Sequence, residues 1–155
     1  MRYKMIKKIT IAFFSLMQTN ILATDFNSVT FLQNYHGDTI KVNIKDIPEL
    51  FGQKISVRVK GIDTAEIRSK NKCEKFQAQA AKKIVYMQLS NAKKINLKNC
   101  VRGKYFRIVC DVLHDDKNLA TELLNKNLAI KYQGGKKIVV DWCKIKSSYI
   151  LQKKG

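Results

Sequence analysis

The stretch Val57-Arg58-Val59-Lys60-Gly61-Ile62-Asp63-Thr64-Ala65-Glu66-Ile67-Arg68 sets two carboxylates three residues apart, with one arginine before them and another just beyond. Carboxylate oxygens are hard donors suited to a divalent cation, and a planar guanidinium presents paired donors to phosphate oxygens. Together, Arg58, Asp63 and Glu66 can hold a cation beside a phosphate ester. The same residue types also make an ordinary solvated turn, so the chemistry depends on what the fold brings to this point.

A strand must end at Asp63 for such a site to exist. Val57 and Val59, with Ile62 past Gly61, place β-branched residues on one side of an extended run, which predicts a third strand over Ile55 to Ile62. Ahead of it, Val29, Phe31 and Tyr35 alternate, Gly37-Asp38 gives a turn signal, and Ile40, Val42 and Ile44 alternate again, which is a hairpin. The segment from Glu74 to about Ser90 changes period: Phe76, Ala80, Ile84 and Met87 recur at helical spacing among Lys and Gln. Two more strands are predicted over Lys94 to Cys100 and Tyr105 to Leu113, joined by a turn at Arg102-Gly103-Lys104. A short helix follows over Leu119 to Asn127. A flexible basic loop comes next at Gly134-Gly135-Lys136-Lys137, and Asp141 is placed to cap a last helix bearing Trp142, Ile145 and Tyr149. The expected fold is α+β, mainly β, on the plan of a five-stranded OB-fold barrel with a helix inserted after strand 3 and two C-terminal helices; strand count alone fits several small α+β folds. The groove of such a barrel commonly takes extended polyanions.

Composition points the same way. Met1 to Lys8 holds four basic residues and no acid, and is followed by the short apolar run Ile9 to Met17 and by Ile21-Leu22-Ala23. That order is expected of a secretory signal peptide over residues 1–23, cut near Ala23, because the apolar run is too short to span a bilayer as a helix. Removing those 23 of 155 residues leaves 132, enough for one domain over 24–155, and lowers the formal net charge from +18 to +14. So large a surplus on a small domain favours a polyanionic partner. Localisation is then secreted or periplasmic, with no stable membrane association after cleavage and a monomer expected. All four cysteines, Cys73, Cys100, Cys110 and Cys143, lie past the signal, where an oxidising compartment favours disulfides. Three pairings are possible. The hairpin turn allows Cys100 to face Cys110, leaving Cys73 for Cys143, but spacing alone does not fix the connectivity. The absence of any Cys-x-x-Cys pair argues against zinc, and His36 lies far in sequence from every cysteine.

Three motifs in order, Gly37-Asp38-Thr39, Arg58 to Glu66, and Lys104-Tyr105-Phe106-Arg107, closely resemble the staphylococcal nuclease-like (thermonuclease) family, over about residues 27 to 145. The resemblance implies a Ca2+-dependent nuclease that hydrolyses phosphodiesters of DNA and RNA. By that likeness Asp38 and Asp63, with the backbone carbonyl of Thr64, hold one Ca2+ ion, Mg2+ or Mn2+ being alternatives for the same oxygen donors. Glu66 positions or deprotonates the attacking water, and Arg58 with Arg107 grips the scissile phosphate. Lys104 and Tyr105 match residues near a terminal phosphate of the nucleotide, and Tyr132 an aromatic on which a base stacks.

Two residues depart from the family pattern. His36 stands where many relatives carry an outer acid, which removes a negative charge near the ion. Ala65 replaces the usual proline of the Asp-Thr-Pro-Glu turn, which frees a fixed φ. Neither is one of the five groups that carry the chemistry, and Arg68 has no assigned role. Two other classes compete: a catalytically silent OB-fold that only binds nucleic acid, and a basic protein that acts on anionic membranes.

Overall fold

The computed structural model describes residues 23–45 and 47–146. The chain runs β1 (Thr24–Phe26), β2 (Thr30–Asn34), β3 (Thr39–Asn43), the single turn α1 (Glu49–Gly52), β4 (Ile55–Val59), β5 (Ile62–Thr64), α2 (Lys72–Asn91), β6 (Ile95–Arg102), β7 (Ile108–His114), β8 (Lys117–Asn118), α3 (Leu119–Asn125) and β9 (Ala129–Lys131). The main sheet has the order β1-β6-β7-β4-β3-β2, with β8 on β7 and a separate β5-β9 pair. All pairings are antiparallel except β4 with β7, which is parallel. The sheet curls so that the residues just before β2 reach the start of β6: the Val29 N–H donates to Ile95 C=O at 2.9 Å, and the Ser28 N–H to Asn96 Oδ1 at 3.0 Å. The result is the mainly β, OB-type arrangement, with five principal strands in β2, β3, β4, β6 and β7.

The alternation that predicts the strands also fills the core. Ile40 and Val42 of β3, Val57 and Val59 of β4, Leu97 of β6 and Val112 of β7 are buried together against Leu119 and Leu123 of α3. Helix α2 starts where Asn71 Oδ1 accepts the N–H groups of Cys73 and Glu74 at 2.9 and 3.3 Å. Its buried stripe runs through Ala81, Val85 and Leu89 beside Ala80. Met87, expected on that stripe, is exposed. Alanines let the helix approach the sheet closely, so the small residues set its inner face and the larger Met87 is turned outward.

Three segments differ from the sequence expectation. The third strand is split, because Gly61 takes φ +81° and turns the chain from β4 into β5, which pairs with β9 in the second sheet. The fifth strand begins only at Ile108, since Tyr105 and Phe106 both adopt φ 56° and push their rings off the sheet. Among the described residues the last helix is present only as a turn at Trp142–Lys144, where Asp141 Oδ1 accepts the Cys143 N–H at 3.1 Å. Tyr149, with the other residues of 147–155, and residues 1–22, where a signal peptide is expected, lie outside the described residues.

Both disulfides follow the hairpin pairing: Cys100–Cys110, Cα atoms 4.2 Å apart, and Cys73–Cys143, 5.1 Å apart. Cys100 and Cys110 meet where the β6–β7 register shifts between Lys98 and Val101.

Candidate active site

The Gly37-Asp38 turn must lie close under α2 and β5. A Cβ on Gly37 would come within 2.7 Å of Ala81 Cβ and 3.0 Å of Thr64 Cγ2, so only glycine lets the turn seat there. Buried Asn34 fixes the turn from behind, its Nδ2 donating to the carbonyls of His36 and Lys82 at 3.0 and 2.9 Å. The Val59 N–H donates to Asp38 C=O at 2.9 Å, which ties the aspartate to β4.

Asp38 and Asp63, both buried, converge on Arg58. One guanidinium nitrogen, Nη2, lies 3.0 Å from Asp38 Oδ2 and 2.8 Å from Asp63 Oδ1. Asp38 Oδ1 accepts from Thr39 Oγ1 at 3.0 Å. Burial raises the Asp38 pKa above its usual value and the nearby Asp63 charge adds to this, while Arg58 and the Thr39 hydroxyl pull it back. Thr64 is buried on β5, next to Asp63. Tyr132 is half-buried under Arg58, with the guanidinium carbon 5.8 Å from its ring centroid, and its hydroxyl donates to Gly135 C=O at 2.8 Å.

Glu66 occupies an exposed turn that is nevertheless held. Its N–H donates to Glu74 Oε1 at 3.3 Å, Ser69 Oγ donates to Glu74 Oε2 at 2.6 Å, and the Ser69 N–H returns to Glu66 C=O at 3.1 Å. Below it, Ala65 is buried against Ala78 and Trp142, so side-chain packing restrains a turn that lacks the proline. His36 Nδ1 is 4.0 Å from Glu66 Oε2.

The structure also brings in a residue that the sequence pattern does not assign. Lys137 Nζ lies 2.6 Å from Glu66 Oε1 and 3.3 Å from Asp63 Oδ2. Partial burial lowers its pKa, but the hydrogen bond to Glu66 and the charges of Asp63 and Glu66 outweigh that and the net shift is upward, so the amine is held charged. The Gly134-Gly135-Lys136-Lys137 run signals a basic loop, but nothing in its spacing points at Glu66.

Arg107 is not brought onto the carboxylates. It stands two residues before Val109, the register partner of Arg58, and its guanidinium carbon lies 5.9 Å from the Tyr105 ring centroid. Lys104 and Tyr105 are exposed on the same hairpin tip. Among the described residues no group of three or more His, Cys, Asp or Glu forms a metal site. Two carboxylates aimed at one point still suit a hard cation: Ca2+ takes oxygens at about 2.3–2.6 Å and fills its remaining positions with carbonyls and water. Arg58 Nη2 marks the point where positive charge is stabilised.

A curled mixed sheet with a helix packed over it, carrying an acid and arginine cluster at the strand ends, defines an OB-fold protein of nuclease type. The family model described as staphylococcal nuclease homologue matches residues 56–141, and the chain belongs to that family. Asp38 precedes the matched stretch and joins it through Arg58. No curated protein matches the chain.

Proposed function

We propose that this chain is an exported, Ca2+-dependent nuclease that hydrolyses phosphodiester bonds of DNA and RNA. The observation that carries the proposal is the reach of a single Arg58 nitrogen to both Asp38 and Asp63, with Glu66 on the turn that leaves β5. Asp38, Asp63 and the Thr64 carbonyl are the residues that would hold the ion, with Mg2+ or Mn2+ as alternatives. Bound there, a divalent cation polarises a phosphoryl oxygen as a Lewis acid.

The chain's own groups supply the rest. Glu66, half-exposed, accepts the proton of the attacking water. As the water oxygen bonds to phosphorus and the opposite P–O bond breaks, charge grows on the non-bridging oxygens, and Arg58 and Arg107 meet it with fixed positive donors. Tyr132 orients Arg58 from below, and Lys104 with Tyr105 flanks the phosphate on the hairpin tip. Export is supported by the basic and apolar start of the chain and by the two disulfides, which suit an oxidising compartment. Among the described residues no helix is long and apolar enough to cross a membrane.

The test is cleavage of single-stranded DNA by the wild type and Glu66→Gln across a Ca2+ titration. Wild-type cleavage that requires Ca2+ and falls by orders of magnitude in Glu66→Gln supports the proposal. Salt-sensitive DNA retention with no new ends, at any Ca2+ concentration, makes the chain a silent binder instead.

A further inference from the structure

Beside Arg107, and away from the carboxylates, lies an open hollow of about 460 Å3 lined by Phe26, Phe51, Arg102, Phe106, Arg107 and Ile108 among others. Its rim is aromatic and exposed: Phe51 on α1 is 65% accessible and Phe106 is 90% accessible, with Tyr105 at 82% next to it. The core is built almost wholly of aliphatic side chains, so these rings are not spill-over from a crowded interior. Their exposure is enforced by the backbone. Tyr105 and Phe106 occupy consecutive left-handed positions, a conformation that costs bulky residues free energy and that turns both rings outward at the hairpin tip. Each ring on that tip is paired with a cation. The Arg102 guanidinium carbon is 5.8 Å from the Phe106 centroid, and that of Arg107 is 5.9 Å from the Tyr105 centroid.

Rings that present a face to solvent, each with a guanidinium beside it, match the repeating chemistry of a nucleic-acid strand whose bases are unpaired. Bases stack on the ring, and phosphates meet the adjacent charge. A duplex cannot use such a surface, because its bases are already stacked on one another. We propose that Phe106 and Phe51 form a base-stacking subsite for single-stranded nucleic acid, with Arg102 on the phosphate that links the bases, so that a strand leaving Arg107 crosses the hollow towards α1. The proposal rests on the nuclease reading and adds to it a strand path through the hollow between Phe106 and Phe51.

The experiment is equilibrium binding of a fluorescently labelled oligo-deoxythymidine, about ten nucleotides long, to the full chain in chelator, so that nothing is cut. Phe106→Ala and Phe51→Ala each weaken binding by a factor of about five to one hundred, the usual scale of a lost base stack. Phe106→Trp keeps it and Phe106→Leu does not, because a flat ring rather than apolar area is needed. Wild-type affinity in both alanine variants overturns the subsite, as does an equal loss for a duplex of the same length. Hydroxyl-radical footprinting of the free chain should oxidise Phe51 and Phe106, with protection on adding the oligomer. Protection already present without it means that another part of the chain fills the hollow, and the proposal fails. If the alanine variants bind normally while Glu66→Gln abolishes cleavage, only the subsite is lost. If the wild type does not bind the oligomer in chelator even at low salt, the subsite is overturned, while the nuclease reading still stands or falls on Ca2+-dependent cleavage.

Discussion

Lys137 Nζ sits between two acids of the candidate site, 2.6 Å from Glu66 Oε1 and 3.3 Å from Asp63 Oδ2, although it is 71 residues from Glu66 in sequence. An ammonium in that position neutralises the carboxylates in the absence of a divalent ion and competes with one for Asp63. The pair with Glu66 is half-exposed on both sides, which limits its strength to that of a surface ion pair. Lys137→Met should therefore tighten Ca2+ binding by a factor of about two to five, corresponding to an exposed pair's contribution of under ~1 kcal/mol. Calorimetric titration without substrate measures this. Unchanged or weaker affinity would mean that Lys137 does not compete.

The two arginines should separate on stability. Arg58 holds two buried carboxylates with one nitrogen, and its own side chain is 24% exposed. Arg58→Met takes the counter-charge from Asp38 and leaves Asp63 only Lys137, and should cost about 1–3 kcal/mol, below the value for a fully buried pair. Added Ca2+ should restore part of the loss, because it supplies the missing charge. Arg107 forms no ion pair among the described residues, so Arg107→Met should stay within about 0.5 kcal/mol of wild type in the metal-free protein while lowering cleavage. Denaturant unfolding with and without Ca2+ distinguishes the two.

Asp38 gives a pH dependence with a definite sign. Burial raises its folded-state pKa above 3.8, so folding favours the protonated form. The stability it contributes is fully present below about pH 3.8, the unfolded value, and is lost as pH rises through the raised folded pKa. Asp25 runs oppositely: the Asn99 N–H and Lys98 lower its pKa, so its contribution is present above the unfolded value and is lost as pH falls through the lowered folded one. A Ca2+ ion held as proposed would need Asp38 ionised. Apparent Ca2+ affinity should fall as pH drops through the raised Asp38 pKa, in a window above 3.8, and Asp38→Asn should bind Ca2+ weakly at every pH. Titrations at stepped pH, with unfolding measured in parallel, read both trends.

Much of this site is legible in the sequence because its residues are placed by short-range geometry. Arg58 lies on a strand with clear alternation, Asp63 follows one glycine turn later, and Asp38 follows a glycine that only a tight hairpin would need. The pairing of β4 with β3 then sets Arg58 opposite Thr39, next to Asp38, without further information. What the pattern does not carry is set by contacts between distant segments. Lys137 reaches Glu66 because β9 pairs with β5, and no local period encodes that. Met87 fits a helical stripe by spacing, yet the sheet accepts the alanine face instead. The left-handed backbone at Tyr105 and Phe106 is equally invisible, since neither residue favours it. The Ala65 turn shows the converse: a missing proline suggests a looser loop, while buried contacts to Ala78 and Trp142 restrain it from below.

The two disulfides should differ in stability and in effect on the site. Cys73–Cys143 closes a segment of 70 residues and Cys100–Cys110 one of 10. On loop-closure entropy the first constrains the unfolded chain more, about 4 kcal/mol against about 3. Position separates them further. Cys143 follows Trp142, which is buried on Ala65 directly before Glu66, and Cys73 opens the helix whose Glu74 holds the Glu66 turn. Cys100–Cys110 instead staples β6 to β7, away from that turn. Replacing Cys73 and Cys143 together by alanine should therefore destabilise the protein by about 2–4 kcal/mol and also lower cleavage at temperatures where it remains folded. Replacing Cys100 and Cys110 should destabilise it by about 2–3 kcal/mol with cleavage retained under the same conditions. Unfolding curves paired with cleavage rates well below each midpoint test this. Equal loss of cleavage in both pairs would mean that the Cys73–Cys143 link acts on stability alone.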